Sequence, residues 1–424
     1  MTTPMRAPRR RVVVTGMGAV TPLGNDSATF WRRLVAGESG VRTIESFDPS
    51  RLASRIAGEV RDFDPSNVLD RKEVRRNDRY TQFALVATRE ALDQAGLPER
   101  LEGELADRTG TIIGSGLGGS GTIVEQVTTN AMRGPDRVSP FFVPMAIANL
   151  ASGQTAISFG ARGPSWSTVS ACATAGHAIG EAAETIIRGD ADVMIAGGSE
   201  ASVYEPLVAG FAAMRALSRR NDDPQGASRP FDQGRDGFVI AEGAGVLVLE
   251  ELGHARRRGA QILAELCGYG ATADANHITL PAPGGAGAVR AARTALKKAE
   301  MSVEDIDHVN AHATSTLEGD PAELQAFQTI FGEHAPNVSI TATKSAIGHT
   351  LGAAGAIGAI AAVFAMREGC VPPTLNLHSP APEVGRLDCT PLKARSREIR
   401  AALVNAFGFG GQNAALILRR WDED

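Results

Sequence analysis

The chain has 424 residues, a length that at roughly 150 residues per domain points to two or three domains or one large intertwined unit. Hydrophobic residues at 43% and charged residues at 21% are ordinary for a soluble globular protein, which excludes long disordered or fibrous stretches. Lys and Arg number 43 against 48 Asp and Glu, a net charge of −5, so no overall positive field draws nucleic acid or anionic lipid and any basic docking surface is local.

Arg6, Arg9, Arg10 and Arg11 stand near the start, but the apolar run behind them, Val12 to Val14, is too short for a signal-peptide core, and a cytoplasmic location is expected. Residues 11–16 read as a short buried strand, β-branched and closed by glycine, and 111–114, 193–197 and 246–250 look alike. Alanine-rich segments 83–95 and 178–188 carry apolar residues at helical spacing, and this alternation predicts an α/β fold with helix-covered sheets. Farther on, 262–269 is expected to open a new sheet, 288–299 to form a helix, 309–312 to end a strand and 402–407 to form another. The longest apolar stretch, 353–366, is shorter than the roughly 20 residues that cross a bilayer and fits a buried core helix, so no membrane partner is expected. A soft boundary near residue 260 divides the chain into 1–260 and 261–424, and direct comparison of the two halves shows no internal repeat.

Cys172, Cys267, Cys370 and Cys389 form no CxxC pair and no Cys/His cluster at zinc-finger spacing, so neither a disulfide framework nor a metal is expected. Cys172 lies in Val169-Ser170-Ala171-Cys172-Ala173-Thr174, between a strand-like segment and a helix whose first turn is made of small residues. A helix N-terminus favours thiolate over thiol, which predicts a nucleophilic sulfur near neutral pH, with neighbouring N–H groups able to stabilise an oxyanion. The competing reading is an inert buried cysteine, and it is kept for the other three.

Residues 310–320 place His312 at a strand end, followed by the hydroxyls of Thr314, Ser315 and Thr316 and the acid Asp320. Residues 344–355 put Lys344 and His349 five positions apart, ahead of the glycine- and alanine-rich helix. Either histidine alone would pass for a satisfied core residue; with Cys172 they form a candidate catalytic set. Residues 405–413 leave a backbone nearly bare except for Phe407 and Phe409, able to present N–H groups and to swing. No Gly-Lys-Ser/Thr follows the glycine loop 114–121 and no GxGxxG carries its acidic partner, so no nucleotide or other cofactor is expected.

Four segments, Val-Ser-Ala-Cys172-Ala-Thr, Asn-Ala-His312-Ala-Thr-Ser-Thr, Lys344-Ser-Ala-Ile-Gly-His349 and Asn-Ala-Phe-Gly-Phe409-Gly-Gly, together resemble the signatures of β-ketoacyl-acyl carrier protein synthases, of the synthase II kind most closely. The likeness runs from Val12 to about Leu418. It implies a thiolase-like fold of two similar halves in five αβαβα layers, a homodimer, and decarboxylative Claisen condensation on Cys172. By that resemblance the backbone N–H groups of Cys172 and Phe409 form the oxyanion hole, Phe407, Gly408 and Phe409 the gate, and His312 and His349 the enolate donors. Lys344 would hold His349, Asp320 and Glu323 would order the loop around His312, and Leu117, Phe211, Thr279, Thr314 and Thr316 would meet the substrate. Lys72, Arg75, Arg76 and Arg215 would steer an acidic acyl carrier protein. Ala313 and Leu317 stand where the family usually has glycine and proline, and Gln412 where Thr or His is common. These departures bring in a second reading, a ketosynthase of a polyketide or specialised fatty-acid pathway working beside a related, non-identical subunit. A non-catalytic chain-length subunit is the third reading, and Cys172 argues against it.

Overall fold

A computed structural model describes residues 9–422, so Arg6 lies outside the described residues. In chain order the elements that build the site are β1 (Val12–Val20), α1 (Arg71–Arg76), α2 (Arg79–Gln94), β2 (Thr109–Gly114), α3 (Ser120–Arg133), α4 (Leu150–Phe159), β3 (Ser165–Trp166), α5 (Thr174–Arg188), β4 (Val193–Glu200), α6 (Glu205–Ala213) and β5 (Gly243–Glu251). The second half follows with β6 (Ala264–Ala273), α7 (Ala286–Ala299), β7 (His308–Asn310), α8 (Gly319–Phe331), β8 (Ser339–Thr341), α9 (Lys344–Ile347), α10 (Ala354–Glu368), β9 (Ala401–Gly408) and β10 (Gln412–Arg420).

Alternation along the strands sorts their side chains into layers. In β5, Val246 and Val248 face α2, while Leu247 and Leu249 face the middle of the molecule. In β9, Ala402, Val404 and Ala406 face the middle, while Ala401 and Leu403 join the outer cluster with α7 and α8. Helices α5 and α10 touch strands of both halves and form the central layer, with α2 and α4 on one outer face and α7 and α8 on the other. The five αβαβα layers follow.

Strand order is β8-β7-β9-β10-β6-β1-β5-β4-β2-β3 in one ten-stranded ladder. The segment read as opening a new sheet, 262–269, instead continues the first one: Val12 to Val14 of β1 pair antiparallel with Leu266 to Ala264 of β6. On either side of that seam the pattern is the same. Reading outward, β1-β5-β4-β2-β3 and β6-β10-β9-β7-β8 each run through two antiparallel and then two parallel pairings. A repeat that residue identity does not reveal is therefore present in topology.

Small residues let the central helices meet. Every residue of α10 from Ala354 to Met366 is buried, and a Cβ on Gly355 would stand 2.7 Å from the backbone nitrogen of Gly176 in α5, so only glycine permits that crossing. The segment Leu351–Glu368 has the length and hydropathy to cross a membrane, yet 89% of it is buried inside the molecule, where its apolar surface serves the core.

Candidate active site

Cys172 sits in a 3₁₀ turn, Ala171–Ala173, that leads into α5. The turn is strained, with Ala171 at φ 49°, and is tied by Ala173 N–H to Ser170 O (3.0 Å) and by Ser170 N–H to Thr174 Oγ1 (2.9 Å). Gly408 at the end of β9 presses on it: a Cβ there would lie 2.4 Å from Ser170 O and 3.3 Å from Cys172 N. That approach brings two backbone N–H groups, those of Cys172 and Phe409, against the sulfur.

His312 lies two residues beyond the end of β7 rather than in the strand. Glu323 on α8 accepts hydrogen bonds from His312 N (2.8 Å) and Ala313 N (2.6 Å), and Asp320 accepts from Ser315 N (3.0 Å), Thr316 N (3.2 Å) and Phe231 N (2.9 Å). Both acids thus order this loop, in which Ala313 has φ 28° and Ser315 φ 71°, conformations that favour glycine. The glycine usual in the family at Ala313 has this physical reason. Phe407 N–H donates to His312 Nδ1 at 3.3 Å, so the neutral ring carries its proton on Nε2.

His349 follows α9 and Gly348, whose φ of 76° turns the chain. Its backbone pairs with Val239 O (2.7 Å), and its ring stands edge-on to His312 and to Phe238, with centroids 5.4 Å apart in each case. Among the described residues neither ring nitrogen of His349 has a hydrogen-bond partner. The expected hold of the Lys344 side chain on His349 is therefore not a hydrogen bond. Lys344 is buried in the first turn of α9, its carbonyl accepts from Ser228 Oγ (2.7 Å) and Gly348 N (2.9 Å), and its ammonium acts as a charge.

Electrostatics follows from burial. Both histidines are pushed well below 6.5, first by desolvation and then by the charge of Lys344, and are neutral. Lys344 falls to about 8 by burial, although the neighbouring Glu323 favours its charged form. Glu323 rises by the same desolvation. Cys172, expected to be a thiolate, is instead pushed up to about 12: burial outweighs the Lys344 charge and the two N–H groups, and the Glu200 charge adds to the rise. The resting sulfur is a thiol, and the sequence missed this because a helix N-terminus is visible in it and desolvation is not.

Cys172, His312 and His349 share one cavity of about 470 Å³ with Phe407, Gly408 and Phe409. Leu117, Phe211, Thr279, Thr314, Thr316 and Arg215 also line it, and Glu323 does too, whereas Lys344 and Asp320 stand behind the wall. The glycine loop is shorter than its sequence reading: Phe407 and Gly408 belong to the β9–β10 ladder, which leaves Phe409 to Gly411 at the tip. Lys72, Arg75 and Arg76 lie on exposed α1 outside the cavity, with the Arg76 guanidinium 4.9 Å over the ring of Phe141. Among the wall residues that escaped the sequence reading are Glu200, Met214 and Asp274. For Glu200 the available signal was an acid closing the otherwise small and apolar strand 193–200.

A cysteine and two neutral imidazoles around one shared cavity, on a doubled five-layer fold, define a condensing enzyme of thiolase-like architecture. Family models agree: "Beta-ketoacyl synthase, N-terminal domain" matches residues 9–255 and "Beta-ketoacyl synthase, C-terminal domain" residues 263–378, and the chain belongs to the β-ketoacyl synthase family. Among its relatives are 3-oxoacyl-[acyl-carrier-protein] synthase 2 of Synechocystis sp., 48% identical, and that of Coxiella burnetii, 47% identical, each covering 97% of this chain and 99% of the relative. Among solved structures, a β-ketoacyl synthase from Burkholderia phymatum superposes with a TM-score of 0.90 at 36% identity, covering 97% of this chain and all of the other. A type II polyketide ketosynthase, solved in complex with its acyl-carrier protein and bound to a hexaketide, superposes with a TM-score of 0.89 at 34% identity, covering 98% and 100%.

Proposed function

We propose that the protein is a 3-oxoacyl-[acyl-carrier-protein] synthase of the synthase II kind, which lengthens an acyl chain by two carbons. The carrying observation is the shared cavity of Cys172, His312 and His349, with the N–H groups of Cys172 and Phe409 aimed at the sulfur. In the first half-reaction the acyl carbonyl of an acyl-carrier protein thioester is attacked by Cys172 sulfur. The thiol proton must leave at that moment, and His349, with no partner on either ring nitrogen, is free to take it and return it to the departing pantetheine sulfur.

In the second half-reaction malonyl-carrier protein loses CO2, and the negative charge moves to its thioester oxygen. His312 Nε2–H and an N–H of His349 stabilise that enolate, for which neutral imidazoles are the right form. The enolate carbon attacks the acyl-Cys172 carbonyl, the tetrahedral oxyanion rests on the two backbone N–H groups, and collapse expels the sulfur as thiolate, which takes up from solvent the one proton that the overall reaction consumes. Leu117, Phe211 and Thr279 line the acyl and pantetheine path, where each buried CH2 of the chain gains about 0.8 kcal/mol. Lys72, Arg75 and Arg76 on α1 and Arg215 at the cavity offer cationic contacts to an acidic carrier protein.

The working unit is a homodimer in the cytoplasm, each protomer built from two halves, 1–260 and 261–424. Support for the dimer comes from β3, an edge strand paired only with β2 among the described residues, with exposed apolar side chains on it, just beyond it and on α4 packed against it: Trp166 37%, Val169 59% and Ile157 64% exposed. A polyketide pathway with a non-identical partner has the solved ketosynthase complexes in its favour, at 33–34% identity; the 46–48% identity to synthase 2 relatives favours fatty-acid elongation. The test is intact mass after mixing with acylated carrier protein, then with malonyl-carrier protein. An acyl adduct that Cys172→Ala abolishes, and a β-ketoacyl product, are expected; undiminished elongation by that variant would refute the reading.

A further inference from the structure

The two half-sheets end against the central layer at matching places, but with different groups. β4 and β9 are each eight residues long, each lies between a parallel and an antiparallel neighbour, and they end on Glu200 and Gly408. α5 and α10 each follow a 3₁₀ turn whose first residue has positive φ, Ala171 at 49° and Leu351 at 45°, so Gly352 stands where the other half has Cys172. Beside Cys172, Gly408 leaves room for the Phe409 N–H. Beside Gly352, the Glu200 side chain fills the corresponding room.

The Glu200 carboxylate is fully buried and takes hydrogen bonds from both halves of the chain. Its Oε2 accepts from Gly352 N (3.0 Å) and Gly116 N (2.8 Å), and its Oε1 from Ser115 Oγ (2.9 Å) and Leu117 N (3.2 Å). A Cβ on Gly352 would stand 2.7 Å from Oε2, and one on Gly116 2.8 Å, so both glycines are required for the carboxylate to enter. Glu200, Gly116, Leu117 and Leu351 line the same cavity as Cys172.

We propose that Glu200 is a positioning residue for the reaction: its carboxylate clamps the Ser115–Leu117 loop and the Leu351–Ala353 turn behind His349 onto the cavity wall that Cys172 shares. This rests on the reading of Cys172 as the acyl acceptor. The clamp has a second, electrostatic consequence, since its charge opposes thiolate formation while Lys344 favours it. The other titratable or charged groups lining that cavity are His312 and His349, both neutral, the acids Glu323, Glu318, Asp236 and Asp274, and Arg215.

The test compares Glu200→Gln and Glu200→Asp in the full-length protein, using the pH profile of iodoacetamide alkylation at Cys172 alongside kcat for condensation. Glu200→Gln removes the charge and turns an amide donor toward N–H groups, so the alkylation midpoint should move to lower pH while kcat falls at least tenfold. Glu200→Asp keeps the charge but withdraws it by one methylene, and should lower kcat with the midpoint unmoved. A folded Glu200→Gln protein with wild-type kcat or a wild-type alkylation midpoint overturns the proposal. If the Glu200 variants do not fold, Ser115→Ala removes one donor and leaves the charge; a severalfold slower Cys172 acylation at unchanged melting temperature is expected, and wild-type acylation overturns it. Alkylation does not require condensation, so a wild-type protein that alkylates but never acylates would sink the functional reading while leaving the clamp measurable.

Discussion

Gly408→Ala isolates the oxyanion donors without touching a reacting side chain. The added Cβ would lie 2.4 Å from Ser170 O, about 1 Å inside ordinary contact, and 3.3 Å from Cys172 N. Both neighbours are backbone, so neither can rotate away, and the strand end must retreat from the nucleophile turn. Phe409 is the next residue, and its N–H leaves the sulfur with it. Loss of one such donor costs about 10²–10³ in rate, or about 3–4 kcal/mol, and a misplacement of about 1 Å is worth about 10² by itself. Cys172 acylation, followed by intact mass in a single turnover, should slow about a hundredfold. Because β9 is paired on both sides, the melting curve is recorded in parallel, and Gly153→Ala in α4 serves as the control: its nearest neighbour is Leu150 Cδ1 at an ordinary 3.7 Å, so wild-type acylation is expected. Acylation by folded Gly408→Ala within threefold of wild type would refute the reasoning.

Two further outcomes follow from charge. Burial pushes fully buried His308 from 6.5 to about 4, even though its ring donates to Ser339 O at 3.0 Å. The folded state then binds fewer protons than the unfolded chain between those values, so this stability is present above pH 6.5 and is lost as pH falls through about 4. The gap is worth about 3 kcal/mol, and denaturant titrations of wild type and His308→Asn should diverge in pH dependence over that window; identical slopes would exclude it. Reversing Lys72, Arg75 and Arg76 to Glu should raise KM for acylated carrier protein severalfold with kcat unchanged. The effect should shrink above about 0.15 M salt, where the screening length is about 8 Å, and an unaltered KM at low salt would remove α1 from the docking surface.

What the sequence made legible was whatever is local. The β-branched run at Val12 to Val14 and the helix after Cys172 were readable because strand and helix periodicity act over a few residues. The reacting set was readable through four short motifs, each of which owes its spacing to one turn. Illegible was whatever depends on contacts across the chain: the Glu200 to Gly352 hydrogen bond joins positions 152 residues apart, and the burial that raises the Cys172 thiol comes from residues as distant in the chain as Ile44, Phe238 and Leu351. Lys344 fell between these cases. Its position was legible, but its role as a buried charge rather than a hydrogen-bonding partner of His349 required knowing where the ammonium lies.

The doubled topology also accounts for there being a single reacting set among the described residues. With the ends of β4 and β9 aligned, the pairing of Gly110 with Met194 corresponds to that of His308 with Ala402, so Gly114 stands at the place of His312. The counterpart of Cys172 is Gly352, and the counterpart of the gap at Gly408 is filled by Glu200. One half therefore supplies the sulfur, while the other supplies His312, His349 and the Phe409 N–H. The equivalent turn around Gly352 has no sulfur, and its Gly352 N–H is taken by Glu200, so it serves as a buttress behind His349. Chemistry confined to the junction of the halves needs both central helices packed against both half-sheets, and this explains why the glycine contact of Gly355 with Gly176, far from any reacting atom by role, sits directly behind the site.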